Sequence, residues 1–294
     1  MRAWVAVDIA LATSADYPGL DEDSVPLLDA LRALGLRCEP RVWDSGFDPT
    51  EARVCLLRST WDYDSRRDEF LAWVRATAAR VHLLLPLETV VWNTDKSYLR
   101  DLEARGAQIV PTAWLARGDQ LEHILESRGW ERAVVKPAVG AGSRGLLRIG
   151  RGEAAQAQGD AEALLERGEV MVQPFLESVE SRGELSLLFA DGELTHAVRK
   201  LARPGDFRVQ PEYGGTFALE TPEAGALEAA QSAVASLGEP PVLARVDLVA
   251  GDDGNPLLIE LELVEPRLFL RAAPAAAPRY AEAIARRLAG TLPA

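Results

Sequence analysis

Arg132-Ala133-Val134-Val135-Lys136-Pro137-Ala138-Val139-Gly140-Ala141-Gly142-Ser143-Arg144-Gly145-Leu146-Leu147-Arg148-Ile149 is the stretch on which the fold turns. Gly140, Gly142 and Gly145 spell G-x-G-x-x-G, but the dinucleotide fingerprint needs a helix directly after the loop, aimed at a pyrophosphate. Leu146 to Ile149 reads as a strand, so the loop joins two strands and lies over a ligand as a flap. No Lys-Ser or Lys-Thr follows the last glycine, which excludes a Walker loop. Protein kinases carry their lysine downstream of such a loop, whereas Lys136 precedes this one. Glycines let backbone N–H groups approach phosphate oxygens unobstructed, and Lys136, at a strand end, is placed to neutralise phosphates. The competing reading is a surface hairpin whose glycines merely turn the chain.

Downstream, residues 244–262 run Ala-Arg-Val-Asp-Leu-Val-Ala, a Gly/Asp/Asn/Pro turn, then Leu-Leu-Ile-Glu-Leu-Glu. Side chains alternate along a strand, so Arg245 and Asp247 share one face, as do Glu260 and Glu262. A turn near Asp253 puts Asp247 opposite Glu260. Three carboxylates converging with one arginine are costly unless a cation relieves them, and magnesium takes oxygen ligands, few of them from protein. The alternative is an amphipathic hairpin with its charges outward.

Around these two motifs the chain splits in character. Strands at 2–8, 37–43, 53–58 and 81–85 alternate with helices at 25–34 and 66–80, predicting a small parallel α/β domain over 1–92. Asn93 and Thr94 read as N-caps of a helix running to Arg105 and stopped by Gly106. A central subdomain over 93–172 carries the flap, with a helix at 119–128. Strand-like runs at 170–175, 183–190, 193–200, 242–250 and 256–263, with helices near 222–237 and 278–289, make 173–294 a larger antiparallel α+β unit. Asp191-Gly192 between two apolar runs marks a hairpin.

With 294 residues, 48% hydrophobic and 26% charged, the chain can bury a substantial core. Its net charge of −13 argues against a nucleic-acid partner. No run approaches 18 apolar residues, so no membrane span is expected, and the first residues read as a strand and not a signal peptide. Cys38 and Cys55 lie in apolar stretches in no ligand spacing, consistent with free thiols in the cytoplasm. His82, His123 and His196 form no cluster, which leaves histidine catalysis and zinc without a basis.

The order of these parts resembles the ATP-grasp superfamily of the glutathione-synthetase-like kind. Asn93-Thr94-Asp95-Lys96 is similar to its first ATP lysine. Lys136 with Gly140, Gly142 and Ser143 resembles the second lysine and the phosphate flap. Gln173-Pro174-Phe175-Leu176 resembles the hinge whose backbone reads adenine, and Gly183-Glu184-Leu185-Ser186 the segment whose Glu holds the ribose. Arg199 and Lys200 fall where a basic residue meets the terminal phosphate. Arg245-Val246-Asp247 and Glu260-Leu261-Glu262 match the end of the pattern, except that Glu262 stands where Asn is usual. The match spans roughly 93–270. Arg58-Ser59-Thr60-Trp61-Asp62-Tyr63, with 205–210 and 265–270, is similar to the O-ureido-serine cyclo-ligase group, and 58–63 follows a strand of the N-terminal domain, where a ligand loop belongs.

The resemblance implies ATP, one or two Mg²⁺ held by Asp247, Glu260 and Glu262, and a small-molecule carboxylate activated as an acyl phosphate and joined to an amine-type nucleophile, with intramolecular closure as one form. Lys200 would steady the phosphoryl oxygens, Arg245 the oxyanion, and Arg208 a substrate carboxylate or a phosphate. Arg58 would grip the second substrate between Trp61 and Tyr63. Rival readings are a protein- or peptide-modifying amino-acid ligase and a non-catalytic ATP sensor on the same fold. A homodimer is left open. Removing hairpin acids is expected to leave the metal-free protein no less stable.

Overall fold

The computed structural model describes residues 7–290. Its first sheet is parallel, in the order β2 (Cys38–Val42), β1 (Val7–Thr13), β3 (Ala52–Leu57), β4 (His82–Leu83). The first strand differs from expectation. Its predicted start at 2–6 lies outside the described residues, and it runs on to Thr13 instead of stopping at Asp8. Asp8 does not break it because the carboxylate accepts from the Arg37 backbone N–H (2.9 Å) and side chain at the sheet margin. Ile9, Leu11 and Ala12 beyond it are fully buried.

Helix α1 (Val25–Ala33) ends before Gly35, whose φ of +81° suits glycine, and α2 (Arg67–Ala78) packs Phe70, Leu71 and Val74 inward. The single helix expected from 93 to 105 is two, α3 (Leu87–Asn93) and α4 (Tyr98–Ala104). Asn93 caps nothing: its amide donates to Leu261 O (2.8 Å) and accepts from Leu263 N (2.7 Å). Those long-range bonds satisfy backbone groups of Leu261 and Leu263, so tertiary pairing overrides the capping preference. Lys96 therefore sits in the bend between the helices.

The second sheet is antiparallel, in the order β5 (Ala113–Leu115), β8 (Val170–Pro174), β6 (Arg132–Pro137), β7 (Leu147–Gly150), backed by α5 (Leu121–Arg128) and α6 (Ala154–Leu165). Residues 138–146 connect β6 to β7, so a strand, and no helix, follows the glycines. The third sheet is antiparallel, in the order β11 (Thr216–Leu219), β10 (Glu193–Leu201), β9 (Glu184–Ala190), β12 (Leu243–Ala250), β13 (Pro256–Glu262). Asp191 (φ +52°) and Gly192 (φ +82°) make its first hairpin, as a two-residue turn of primed type requires. The short α7 (Ser178–Ser181) precedes this sheet, and α8 (Ala224–Ala235) packs on it. The last helix, α9 (Ala277–Gly290), sends Tyr280, Ile284 and Leu288 into the core that holds Ile9, Leu11, Leu27 and Leu31. Both cysteines are buried and free. No helix among the described residues is long and apolar enough to cross a membrane.

Candidate active site

A cleft of about 470 Å³ opens between the three sheets. Its floor is the β12–β13 hairpin, where Asp247 pairs with Glu260 and Arg245 with Glu262. The charges point into the cleft and not outward to solvent. One oxygen from each of Asp247, Glu260 and Glu262 lies within 4.8 Å of the others. Each acid already has a cation: Glu260 has Lys96 (3.0 Å), Glu262 has Arg245, and Asp247 has both Arg245 (2.9 Å) and Lys200 (3.2 Å). Ser186 Oγ also donates to Asp247 (2.5 Å), and Lys200 reaches Glu184 (2.8 Å).

This network argues against the expectation that removing a hairpin acid leaves the metal-free protein no less stable, because each removal leaves a buried cation short of its partner. Burial pushes the Asp247 carboxyl up, but Arg245 and Lys200 outweigh it and hold the group below its ordinary range. Glu262 goes the other way. Burial, joined by Glu260 and Asp247, carries its carboxyl up to about 7 despite Arg245. A divalent cation fits three converging oxygens, one of them on a carboxyl so reluctant to ionise.

Across the cleft stands Lys136. Among the described residues no hydrogen bond or ion pair reaches its amine, and burial lowers it to about 8, with Glu260 opposing and Lys96 reinforcing the shift. The flap beside it is tied on three sides. Lys96 donates to Gly140 O (2.6 Å), Asp64 accepts from Ala141 N (3.2 Å) and Arg144 Nε (2.9 Å), and Tyr213 donates to Gly142 O (3.2 Å). Gly142 (φ +59°) and Gly145 (φ +71°) take left-handed backbone, and Ser143 shares that conformation at +59°. A side pocket of about 70 Å³ branches from the cleft under this flap, walled by Val110, Val134, Leu146, Phe175, Leu176 and Ile259, with Glu184 at its mouth. Gln173 lines it too, its amide spent on Thr112 Oγ1 (2.9 Å), and the Phe175 N–H is taken by Arg132 O (2.9 Å). A pocket with apolar walls beside the Lys136 amine suits a purine and its phosphates.

Three predicted positions are corrected. Arg199 lies on the face of β10 opposite Lys200 and is paired bidentately with Glu220 (2.9 and 2.6 Å), so strand alternation takes it out of the cleft. Arg208 lines only the side pocket, where Asp206 holds its guanidinium (3.0 and 2.8 Å) over the Tyr213 ring. Arg58 does not reach the cleft at all. It is 1% exposed and donates to Ser24 Oγ (3.0 Å) and Pro266 O (3.1 Å), near Asp21 and Asp23. Nor does it pair with Asp62 or Asp64.

The rest of the 58–63 segment divides. Ser59 donates to Asp21 (2.6 Å), Thr60 is fully buried, and Asp62 accepts from Trp43 Nε1 (3.0 Å) and Arg66 (2.7 Å), all outside the cleft lining. Trp61 and Tyr63 do line the cleft. So do Ser14, Tyr17, Glu265 and Arg267, none of them foreseen. Ser14 and Tyr17 follow the carboxyl end of β1, where parallel sheets meet ligands, a signal hidden by ending that strand at Asp8. Glu265 and Arg267 belong to a segment quoted for its resemblance but given no role.

Comparison with known proteins agrees with this geometry. Residues 9–85 match the family "D-cycloserine synthetase DcsG, N-terminal domain", and residues 104–251 match "Prokaryotic glutathione synthetase, ATP-grasp domain". The cycloserine biosynthesis protein DcsG of Streptomyces lavendulae is 37% identical, over 95% of this chain and 98% of its own. The crystal structure of D-cycloserine synthetase DcsG superposes with a TM-score of 0.88 at 34% identity, covering 95% of this chain and 99% of that one. D-alanine–D-alanine ligase of Bacillus anthracis complexed with ATP shares the fold, with a TM-score of 0.67 at 16% identity over 97% and 98% of the two chains.

Proposed function

The chain belongs to the ATP-grasp superfamily, among the relatives of D-cycloserine synthetase, and from that premise we propose that it closes the ring of an O-ureido-serine substrate. It is an ADP-forming carboxylate–amine ligase. A carboxylate oxygen of the substrate attacks the γ-phosphorus of ATP in line, releasing ADP and leaving an acyl phosphate. A nitrogen then adds to the carbonyl carbon, and phosphate departs from the tetrahedral intermediate. Ring closure is the intramolecular form, in which the nitrogen belongs to the same molecule.

The observation that carries this reading is the pairing of opposites across one cleft: an amine at Lys136 that no ion pair reaches among the described residues, and the acids Asp247, Glu260 and Glu262. Lys136 and the flap N–H groups hold the phosphates, and the apolar side pocket takes the adenine. Glu184 binds the ribose. Lys200, between Glu184 and Asp247, faces the transferred phosphoryl group, and Arg245 faces the developing oxyanion. Asp247, Glu260 and Glu262 are the residues that would hold one or two magnesium ions, which when bound neutralise phosphate charge. Most of the catalysis is placement and charge complementarity, with no protein nucleophile. Magnesium-dependent release of ADP and orthophosphate on adding O-ureido-serine is the test, and AMP with pyrophosphate would contradict the chemistry.

A further inference from the structure

The acids of the cleft are of two kinds. Asp247, Glu260, Glu262 and Glu184 each lie against a lysine or an arginine. Glu265 does not. Among the described residues no ion pair reaches it, although it is only 7% exposed, and its Oε2 has no hydrogen-bond partner. Lys96 and the buried Arg58 act on it only from a distance, and the Tyr63 hydroxyl is its side-chain neighbour. Ser14, 1% exposed, lines the same cleft with its Oγ equally unpartnered.

Both groups are held in place. The Ser14 N–H donates to Ser59 O (3.0 Å), and Trp61 Nε1 donates to Glu265 O (3.1 Å). Tyr17 and Trp61, which line the same cleft, meet edge-on at 5.2 Å. A buried acceptor without a donor is unfavourable unless a ligand supplies one.

We propose that Glu265 and Ser14 receive the ammonium group of a free α-amino acid, so that the second substrate of the ligase reading above is recognised by its α-amine. An ammonium brings three N–H donors and a positive charge, and so meets a carboxylate that no ion pair reaches among the described residues. A ureido or hydroxyl group brings donors without charge. The substrate carboxylate then points toward Arg245 and Lys200, at the phosphoryl-transfer end of the cleft. Held as an ammonium, the α-amine has no lone pair and cannot compete with the ring-closing nitrogen for the acyl phosphate. Burial, with Glu262 nearby, raises the Glu265 carboxyl well above its ordinary range, and an arriving cation reverses that balance.

Calorimetric titration of O-ureido-serine and its N-acetyl derivative, with a non-hydrolysable ATP analogue and Mg²⁺ present, tests this. The wild type should bind the free amine about tenfold or more tighter, which is ~1.4 kcal/mol. Glu265→Gln should lose that preference while its melting temperature and affinity for the ATP analogue hold. Ser14→Ala should show a smaller loss of the same kind, and it serves alone if Glu265→Gln does not fold. Undiminished preference for the free amine in the variants, or equal binding of the acetylated compound by the wild type, would overturn the proposal. Failure of the ligase reading looks different: no ADP is released with any acid, yet amino-acid binding sensitive to Glu265→Gln persists. If the wild type binds no amino acid, or binds only acids lacking an α-amine, the ammonium site is refuted.

Discussion

Arg245 and Arg58 are both buried arginines surrounded by acids, and the sequence gives each an equal claim on the site. Arg245 stands on a strand opposite Glu262, open to the cleft, with Asp247 two residues away on its own face. Arg58 follows a strand into a loop and turns inward, where Ser24 and the Pro266 carbonyl consume one nitrogen and two others find no partner. A groove runs past the first cluster and leaves it open to a ligand. The last third of the chain, through Pro266, closes over the second. A charged residue's role therefore depends on which element covers it, and local pattern reveals that for strands far better than for loops.

The comparison breaks first at Arg58. Arg58→Met strips the charge from beside Asp21 and Asp23, and leaving such acids uncompensated costs about 3–5 kcal/mol. At roughly 2–4 °C per kcal/mol for a chain of this size, calorimetry should show the melting temperature falling by about 10 °C. Affinity for ATP and KM for O-ureido-serine should stay level in the surviving folded protein. A selective rise in KM with unchanged melting would return Arg58 to the site.

Asp247→Asn probes the other cluster. Turnover should fall by about 10²–10³-fold, the scale on which one preorganised charge contributes to a transition state. The metal-free protein should also melt lower, because Arg245 and Lys200 lose their shared acid. Normal turnover in this variant would reduce the hairpin to a structural feature. Lys136→Ala should weaken ATP by roughly 1.5–3 kcal/mol, the value of a charge-assisted bond, and titration calorimetry reads it directly.

The pH dependence sharpens the same point. The Lys136 amine is lowered from 10.5 to about 8. Below pH 8 it is charged in both folded and unfolded protein, and its burial costs stability in full. Between about 8 and 10.5 the unfolded chain holds more protons, so that cost is relieved as pH rises. Nucleotide binding has the opposite sign: ATP affinity should decline above pH 8, as a neutral amine must regain its proton. Lys136→Arg should flatten that decline, and a wild-type affinity constant up to pH 9.5 would remove Lys136 from the phosphates. Arg199→Ala is the smallest effect. Its half-exposed pair with Glu220 is worth about 1 kcal/mol or less, and ATP affinity should not move.

What could be read early was what alternation and turn chemistry dictate. The 244–262 hairpin put Asp247 opposite Glu260 because side chains repeat every two residues, and Asp191-Gly192 made its turn because both positions need positive φ. Lys136 was legible for the same reason, as a strand end before a flap. The same rule, applied to Arg199 and Lys200 together, would have separated them.

By itself the sequence determined the alternating strands and helices between 25 and 85, the antiparallel hairpin with its acids, and the strand–loop–strand of the glycine flap, because these are local and periodic. Only the tertiary structure decided that Asn93 serves Leu261 and Leu263 instead of capping a helix, that Arg58 is interior, and that Ser14 and Glu265 line one cleft. Those facts join residues some 170 to 250 positions apart. Whether a polar group is satisfied by protein or left for a ligand depends on what the rest of the chain brings to it, and no local spacing encodes that.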